Sequence, residues 1–386
     1  MAFDIEKLKA GFPKELQKVV EVVPIHQVID PYHERLPTGV MSLDRALIGG
    51  IPGGTITQIF GPDGVGKDYL SQLIMASAQQ QYGEEFNMFY VTFGYYPDKK
   101  FMRFSGVQLP FSDVELARQG IDPSKATVEQ RGKQIGNILF IDIRQIGSDK
   151  PAEYLMQTVL ELVKSGDFHL GVINELASGE TGSGVKKTLY ENERVAAWPT
   201  LMSGFCRKFY SAVRYHQKEG SLPNSTRLLF LNPVRENIDM FSFEKFSQPG
   251  GRAQKHAKVI DIHLSPKKRK KKGTVQIGKY VKWRIAKGKL GIHEGDEGEW
   301  LFMFDKGIDL EEDLLRCAKA EGLVKAGKLY TIHDVDEKIA GGAEAVIELL
   351  KTNPEIERNL RDATLASVRK GRKEAASPIG EEDEEE

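Results

Sequence analysis

Fourteen residues, Thr55 to Asp68, constrain this 386-residue chain more than any other stretch. They read Thr-Ile-Thr-Gln-Ile-Phe-Gly-Pro-Asp-Gly-Val-Gly-Lys-Asp. An apolar, strand-like run ends at Phe60, a glycine-rich turn follows, and Tyr69, Leu70, Leu73 and Ile74 recur at helical spacing. Strand, glycine turn and helix in that order make a phosphate-binding loop. The glycines let backbone N–H groups face a polyphosphate, Lys67 supplies a cation, and the helix presents its positive end. The pattern Gly-x4-Gly-Lys-[Ser/Thr] closes on a hydroxyl that holds magnesium, whereas this chain has Asp68. Gly61, Gly64, Gly66, Lys67, Asp68 and Tyr69 are therefore candidate nucleotide contacts, and Asp68 is also a candidate ligand for Mg2+.

The length allows two or three domains and a large core, and 40% hydrophobic residues describe a globular chain. No apolar run approaches the roughly 18 residues that cross a bilayer. The opening Met-Ala-Phe-Asp-Ile-Glu-Lys lacks the regions of a signal peptide, so a soluble, intracellular (cytoplasmic) protein with no membrane contact is expected. Two cysteines, Cys206 and Cys317, are too few for a disulfide framework and read as core thiols. The net charge of −1 conceals a basic block, Lys267 to Lys272, and an acidic one, Glu381 to Glu386. Such a layout suits a protein that meets a polyanion, although each run alone also reads as a solvated loop.

Along the chain, Ile5 to Val20 reads as a helix, followed by a tether through Pro24 and Pro31. Strands are expected at Asn87 to Phe93, Ile138 to Ile143, His169 to Asn174 and Arg227 to Asn232, with helices at Ala152 to Lys164 and Val195 to Gln217. Residues 107 to 136 carry breakers and read as an insertion. Alternating strands and helices predict an α/β fold with a mostly parallel sheet, its ligand beyond the carboxyl ends of the strands. Strands and hairpins then follow at Ile260 to Leu264, Thr274 to Ile285 and Glu299 to Phe304. Beyond Asp309 the pattern is helical, with helices at Ala343 to Lys351 and Glu355 to Val368.

The stretch Leu36-Pro-Thr-Gly-Val-Met-Ser-Leu-Asp-Arg-Ala-Leu-Ile-Gly-Gly-Ile-Pro-Gly-Gly, set before the phosphate loop, resembles the opening of the RecA recombinase core. The order of segments is similar too, and the resemblance covers nearly the whole chain. It implies an N-terminal polymerisation arm (1–35), a RecA-like ATP- and DNA-binding core (36–305), a small C-terminal α+β domain (306–370) and a disordered acidic tail (371–386).

The resemblance assigns roles residue by residue. The magnesium-holding strand-end carboxylate corresponds to Asn174, whose amide still reaches a metal-bound water. The catalytic glutamate corresponds to Gly94, and the Asn-Gln sensor to Asn232-Pro233. Groups for binding survive: Lys67 in the phosphate loop, which is also a catalytic candidate, Asp98 and Phe101 where the family meets the adenine, and Lys287 and Lys289 at the phosphates of an adjoining subunit. Glu175, beside the strand end, is a candidate catalytic base, and Asp68 can restore the charge lost at Asn174. Efficient hydrolysis, binding with little turnover, and no useful binding all stay open.

Two loops, Ser178 to Glu193 and Glu236 to Arg252, correspond to those with which RecA-like filaments grip single-stranded DNA. They contribute Lys186, Lys187, Phe243, Lys245, Gly250, Gly251 and Arg252. Cations interleaved with aromatics suit binding without sequence preference, while Phe241, Phe243 and Phe246 also read as a loop tucked into a core. The block Lys267 to Lys272 is expected at an exposed hairpin tip, where it grips duplex DNA, is merely solvated, or serves as a nuclear import signal. The implied function is an ATP- and Mg2+-dependent recombinase that self-assembles into filaments on single-stranded DNA for homologous pairing in repair, with weak or altered hydrolysis. The alternatives are an inactive RecA paralogue acting as an accessory DNA-coating protein, and a RecA-fold signalling ATPase that does not use DNA.

Overall fold

A computed structural model describes residues 11–14, 32, 34–132, 135–142, 149–186, 197–213, 225–236, 246–247, 251–336 and 338–376. Nine strands form one sheet: β1 (Ile56–Gly61), β2 (Met88–Thr92), β3 (Ile138–Ile141), β4 (Leu170–Asn174), β5 (Arg227–Pro233), β6 (Ile260–Lys272), β7 (Val275–Lys287), β8 (Glu297–Met303) and β9 (Gly307–Ile308). Their order is β9-β8-β7-β6-β1-β5-β4-β2-β3. From β6 to β3 every neighbouring pair is parallel, whereas β7, β8 and β9 add antiparallel ladders. The result is an α/β fold built on a mostly parallel sheet.

The strand residues alternate between two cores, as the period-two geometry of a strand requires. Met88, Tyr90, Leu229, Leu231 and Ile59 join helix α2 (Lys67–Tyr82) through Leu70, Leu73, Ile74 and Ala78. Phe89, Val91, Leu228, Phe230 and Ile56 face the other way. They meet α4 (Pro151–Ser165) at Leu155, Val159 and Val163, and α5 (Ala197–Ala212) at Phe205 and Phe209. Burial on both faces explains why these strands read as continuous apolar runs. Between α2 and α4 lies α3 (Lys99–Phe104). The expected insertion forms two short helices, Asp113–Arg118 and Val128–Arg131, each opened by a capping box.

Helix α6 (Gly251–Ala257) leads into β6 and is held by a buried polar cluster. The Gln58 side-chain oxygen on β1 accepts from Asn232 Nδ2 (3.0 Å), Gln254 Nε2 (3.1 Å) and Lys258 Nζ (3.0 Å). Lys258 also pairs with Asp261 at 3.0 Å, and both are buried. Burial lowers the Lys258 pKa and raises that of Asp261, each partly offset by the other's charge. After β9 come α7 (Leu310–Ala320), α8 (Gly342–Thr352) and α9 (Pro354–Ala376). These share an apolar cluster with Met41 of α1 (Met41–Ala46). Cys206 and Cys317 are buried free thiols, pushed up by burial to about 11 and about 12.

Two expectations change. The basic block, expected at an exposed hairpin tip, is exposed in the β6–β7 hairpin but forms the outer half of β6, which runs on to Lys272 because pairing with β7 continues there. Helix α9 extends through Gly371 to Ala376, beyond the expected end at Val368, because Arg, Lys, Glu and Ala favour helix. The expected helix Ile5 to Val20 falls almost wholly outside the described residues, as does the acidic run.

The buried ion pair makes a direct test of what holds α6 on the sheet. Lys258→Met leaves Asp261 charged and without its nearest cation, and is expected to cost roughly 3–5 kcal/mol in urea unfolding at pH 7. Adding Asp261→Leu should recover most of that loss.

Candidate nucleotide site

The phosphate loop leaves the sheet between β1 and α2. At Gly61 a side chain is forbidden by β6, because a Cβ there lies 2.2 Å from the Leu264 carbonyl oxygen. At Gly66, the residue before α2, φ is +108°, a left-handed conformation that favours glycine. Gly64, at φ +67°, shares that region. Lys67 is buried, and its ammonium donates to the Gly61 carbonyl (3.1 Å) and the Pro62 carbonyl (3.3 Å), with Asp63 Oδ1 at 3.6 Å.

Strand β4 ends at Asn174, beside Thr92 of β2. Asn174 Nδ2 donates to Asp68 Oδ1 at 2.6 Å and to the Tyr90 hydroxyl at 2.7 Å. The two residues that replace the expected hydroxyl and carboxylate are therefore in direct contact, a contact their separation in the chain gives no hint of. Burial pushes the Asp68 carboxyl up, Lys67 and the Asn174 hydrogen bond pull it back, and Glu175 pushes it up again. The same carboxylate acts with burial, Glu175 and Asp63 to raise the Tyr95 phenol. Asp63 and Asp68 thus bring negative charge to Lys67, and Glu175 adds its charge beside Asp68.

Glu175 Oε2 accepts from Ser178 Oγ at 3.1 Å. Gly94 donates its N–H to Thr92 Oγ1 at 3.1 Å, and a Cβ at Gly94 meets nothing within 4 Å. Asn232 turns to Gln58. A magnesium ion shared with phosphate oxygens and water needs only one or two protein carboxylates. Asp68, at the start of α2 and oriented by Asn174, fits that demand. Asn174 fits as a partner for a metal-bound water.

The other candidates are placed as follows. Tyr69 turns into the core, where its hydroxyl accepts from the Ile308 N–H at 3.2 Å and its ring meets Phe302 edge-on. Asp98 caps α3, accepting from the Lys100 N–H (2.8 Å) and the Phe101 N–H (3.4 Å). Phe101 packs against Tyr69 and Phe104. Lys287 and Lys289 reach carbonyls at the end of α6: Lys287 those of Lys255 and His256, Lys289 that of His256 at 3.2 Å. Their charge meets the negative end of that helix. Lys186 is exposed at the end of a helical turn, Gly182–Val185, and Gly251 and Arg252 open α6. Lys187, Phe243, Lys245 and Gly250 lie outside the described residues.

One cation at the loop was not legible in any motif. Lys279 of β7 donates to the Gly64 carbonyl and lies 5.6 Å from the centre of the Phe302 ring. Burial lowers its pKa. Only the hairpin of β6 and β7 brings this residue to a loop 215 positions earlier.

Residues 21–108 match the RecA N-terminal domain family. Protein RecA of Thermus thermophilus is 28% identical over 334 residues, covering 86% of this chain and 84% of that protein. Protein RecA of Aquifex aeolicus is 28% identical over 350 residues, 89% of this chain and 87% of that protein. Among solved structures, a RadB recombinase gives a TM-score of 0.44 at 14% identity, covering 71% of this chain and 98% of that one. Among the described residues no helix is long and apolar enough to cross a membrane.

Two substitutions separate ligand contacts from structural ones. Burial raises the Asp68 pKa, so the charged form costs the fold stability as pH rises through the raised value. Asp68→Asn keeps an oxygen for Asn174 and is expected to raise the melting temperature of the nucleotide-free protein at pH 7, an advantage that shrinks at acid pH. It should also weaken the Mg2+ dependence of nucleotide affinity. Tyr69→Phe orphans the Ile308 N–H and should cost about 1–2 kcal/mol in chemical unfolding while leaving nucleotide affinity unchanged.

Proposed function

We propose that this divergent relative of the RecA proteins is a recombinase-type protein that binds ATP with Mg2+ and assembles on single-stranded DNA for homologous pairing, with little ATP turnover. The observation that carries the reading is the contact between Asp68 and Asn174, set against the bare position at Gly94. The loop N–H groups and Lys67 receive the β- and γ-phosphates. Bound magnesium supplies positive charge against those phosphates. Asp68 is the ligand that holds it, and Asn174 orients Asp68. Without a cation, Asp68 repels the phosphates, so nucleotide binding is tied to the metal more tightly than with a hydroxyl at this position.

Hydrolysis requires a base to orient and deprotonate water. Gly94 has no side chain to do so, and Glu175 is engaged with Ser178. The RecA resemblance implies that filament assembly and pairing depend on bound ATP rather than on its cleavage. Low turnover is therefore compatible with pairing. The DNA-facing groups of this reading are Lys186, Lys187, Phe243, Lys245, Gly250, Gly251 and Arg252, and Lys287 and Lys289 face the nucleotide of a neighbouring copy. The bare Gly94 equally favours a second reading, an accessory subunit that coats DNA without catalysis.

Fluorescent-ATP titration, phosphate release with and without single-stranded DNA, and electron microscopy with a non-hydrolysable analogue test the proposal. Tight Mg2+-dependent binding and filaments with little turnover are expected. Gly94→Glu, which has open space for its side chain, should raise DNA-dependent turnover by about 10- to 100-fold. DNA-stimulated turnover in the unaltered protein that disappears in Glu175→Gln would overturn the low-turnover reading.

A further inference from the structure

The amide of Asn174 is held at two points, and the second of them belongs to no motif. An ionised carboxylate only accepts hydrogen bonds, so the end of the amide that faces Asp68 is its nitrogen. That one bond settles which end faces Asp68 but leaves the amide plane free to swivel, because the last torsion of an asparagine side chain is broad. The second N–H stops the swivel. It reaches the Tyr90 hydroxyl at 2.7 Å, while the first reaches Asp68 Oδ1 at 2.6 Å. Both hydrogens on Nδ2 are then used, and among the described residues nothing donates to Asn174 Oδ1. Unlike Asn232 Oδ1, that oxygen is not sealed in the core.

The sheet places Tyr90 for this contact. Thr92 of β2 lies directly beside Asn174 of β4, and Tyr90 stands two residues back, beside Val172, on the same face. That face is turned to α2, which carries Asp68, and Tyr90 shares an apolar cluster with Leu70, Leu73 and Ile74. Thr92 is the nearer hydroxyl in register, but it is committed: it donates to the Tyr95 carbonyl at 3.0 Å and accepts from the Gly94 N–H at 3.1 Å. The longer side chain of Tyr90 reaches forward instead. Tyr90 is 2% exposed, and its strand is paired on one side with β3 and on the other with β4. Close packing keeps such a ring from moving aside, so the hydroxyl is a fixed point. Among the described residues its hydrogen bond is the one to Asn174. A phenylalanine would supply the same apolar ring, and the hydroxyl adds the hold on the amide.

We propose that Tyr90 is a positioning residue for the metal-bound nucleotide: its hydroxyl locks the Asn174 amide so that Nδ2 holds Asp68 and Oδ1 is left to accept from a metal-bound water. The inference rests on the reading of Asp68 as the magnesium ligand. A carboxylate at position 174 would attract a cation in almost any orientation, whereas an amide carries only a dipole, whose effect depends on its direction. An amide at this strand end therefore needs a second group to aim it. Tyr90 acts through Asn174 alone, as an outer partner that orients a group nearer the metal.

The test titrates the full-length protein with a fluorescent ATP analogue over a Mg2+ series that begins in EDTA, and records NMR spectra of nucleotide-free protein labelled with nitrogen-15 at asparagine. Tyr90→Phe should raise the Mg2+ concentration for half-maximal affinity about 10-fold and leave the affinity in EDTA unchanged. Asn174→Ala should raise it at least as far, and Tyr90→Phe added to Asn174→Ala should change nothing more. The side-chain resonances missing from Asn174→Ala identify Asn174, and Tyr90→Phe should move one of its two amide protons toward the position of a solvated amide. Equal loss of affinity with and without Mg2+ marks a merely structural tyrosine, and additive shifts in the double variant mark one that acts by another route; either result overturns the proposal. If Asp68→Asn weakens the Mg2+ dependence while Tyr90→Phe leaves it unaltered, the reading of Asp68 stands and the proposal falls. If Asp68→Asn leaves it unaltered, that reading falls, and the Asn174 protons decide on the lock alone: one proton moved upholds it, neither moved overturns it.

Discussion

The parallel pairing of β1 with β5 on one side and β6 on the other is the constraint on which everything else rests. Every residue of β1 is buried, so the strand has no freedom to slip or to twist away from its neighbours. It delivers Gly61 to the edge of the sheet at a fixed position, with β6 so close that a side chain there is impossible. The phosphate loop is consequently built against β6, and whatever β6 carries outward is carried from the margin of the site.

Negative charge is the unusual property of that site. A phosphate-binding loop ordinarily gathers donors and cations, whereas here Asp63 and Asp68 stand beside Lys67, with Glu175 beside Asp68. Part of the cost is met locally: Lys67 lies on backbone carbonyls, Asn174 donates to Asp68, and Lys279 closes on the loop from β7. The rest is a standing demand for a cation. A carboxylate at position 68, where the phosphate-loop pattern has a hydroxyl, and an amide at position 174, where the RecA resemblance implies a carboxylate, leave one acid between two residues in contact. That is why the two departures are better understood together than as separate losses.

The parallel core was legible because its strands are buried on both faces and its helices are amphipathic. Met88 to Thr92, Leu170 to Asn174 and Arg227 to Pro233 announce themselves as apolar runs at the expected spacing. Tyr69 was less legible. Its place after Asp68 suggested a ligand contact, but helical geometry turns it a hundred degrees further round, into Phe302 and the Ile308 amide. The extent of β6 was hidden too, because six consecutive cations carry no alternation of apolar and polar residues. Pairing with β7, an interaction between backbones, holds them in a strand regardless.

By itself the sequence determined the phosphate loop, the α/β alternation and the list of altered positions, since each depends on local spacing or on the chemistry of single residues. The tertiary structure decided which of those residues meet. Asn174 reaches Asp68 across 106 positions, Lys279 reaches Gly64 across 215, and Lys258 reaches Gln58 across 200. The order of strands in the sheet and the register of the β6–β7 hairpin set these contacts. Both arise from long-range backbone pairing, which leaves no periodic trace along the chain.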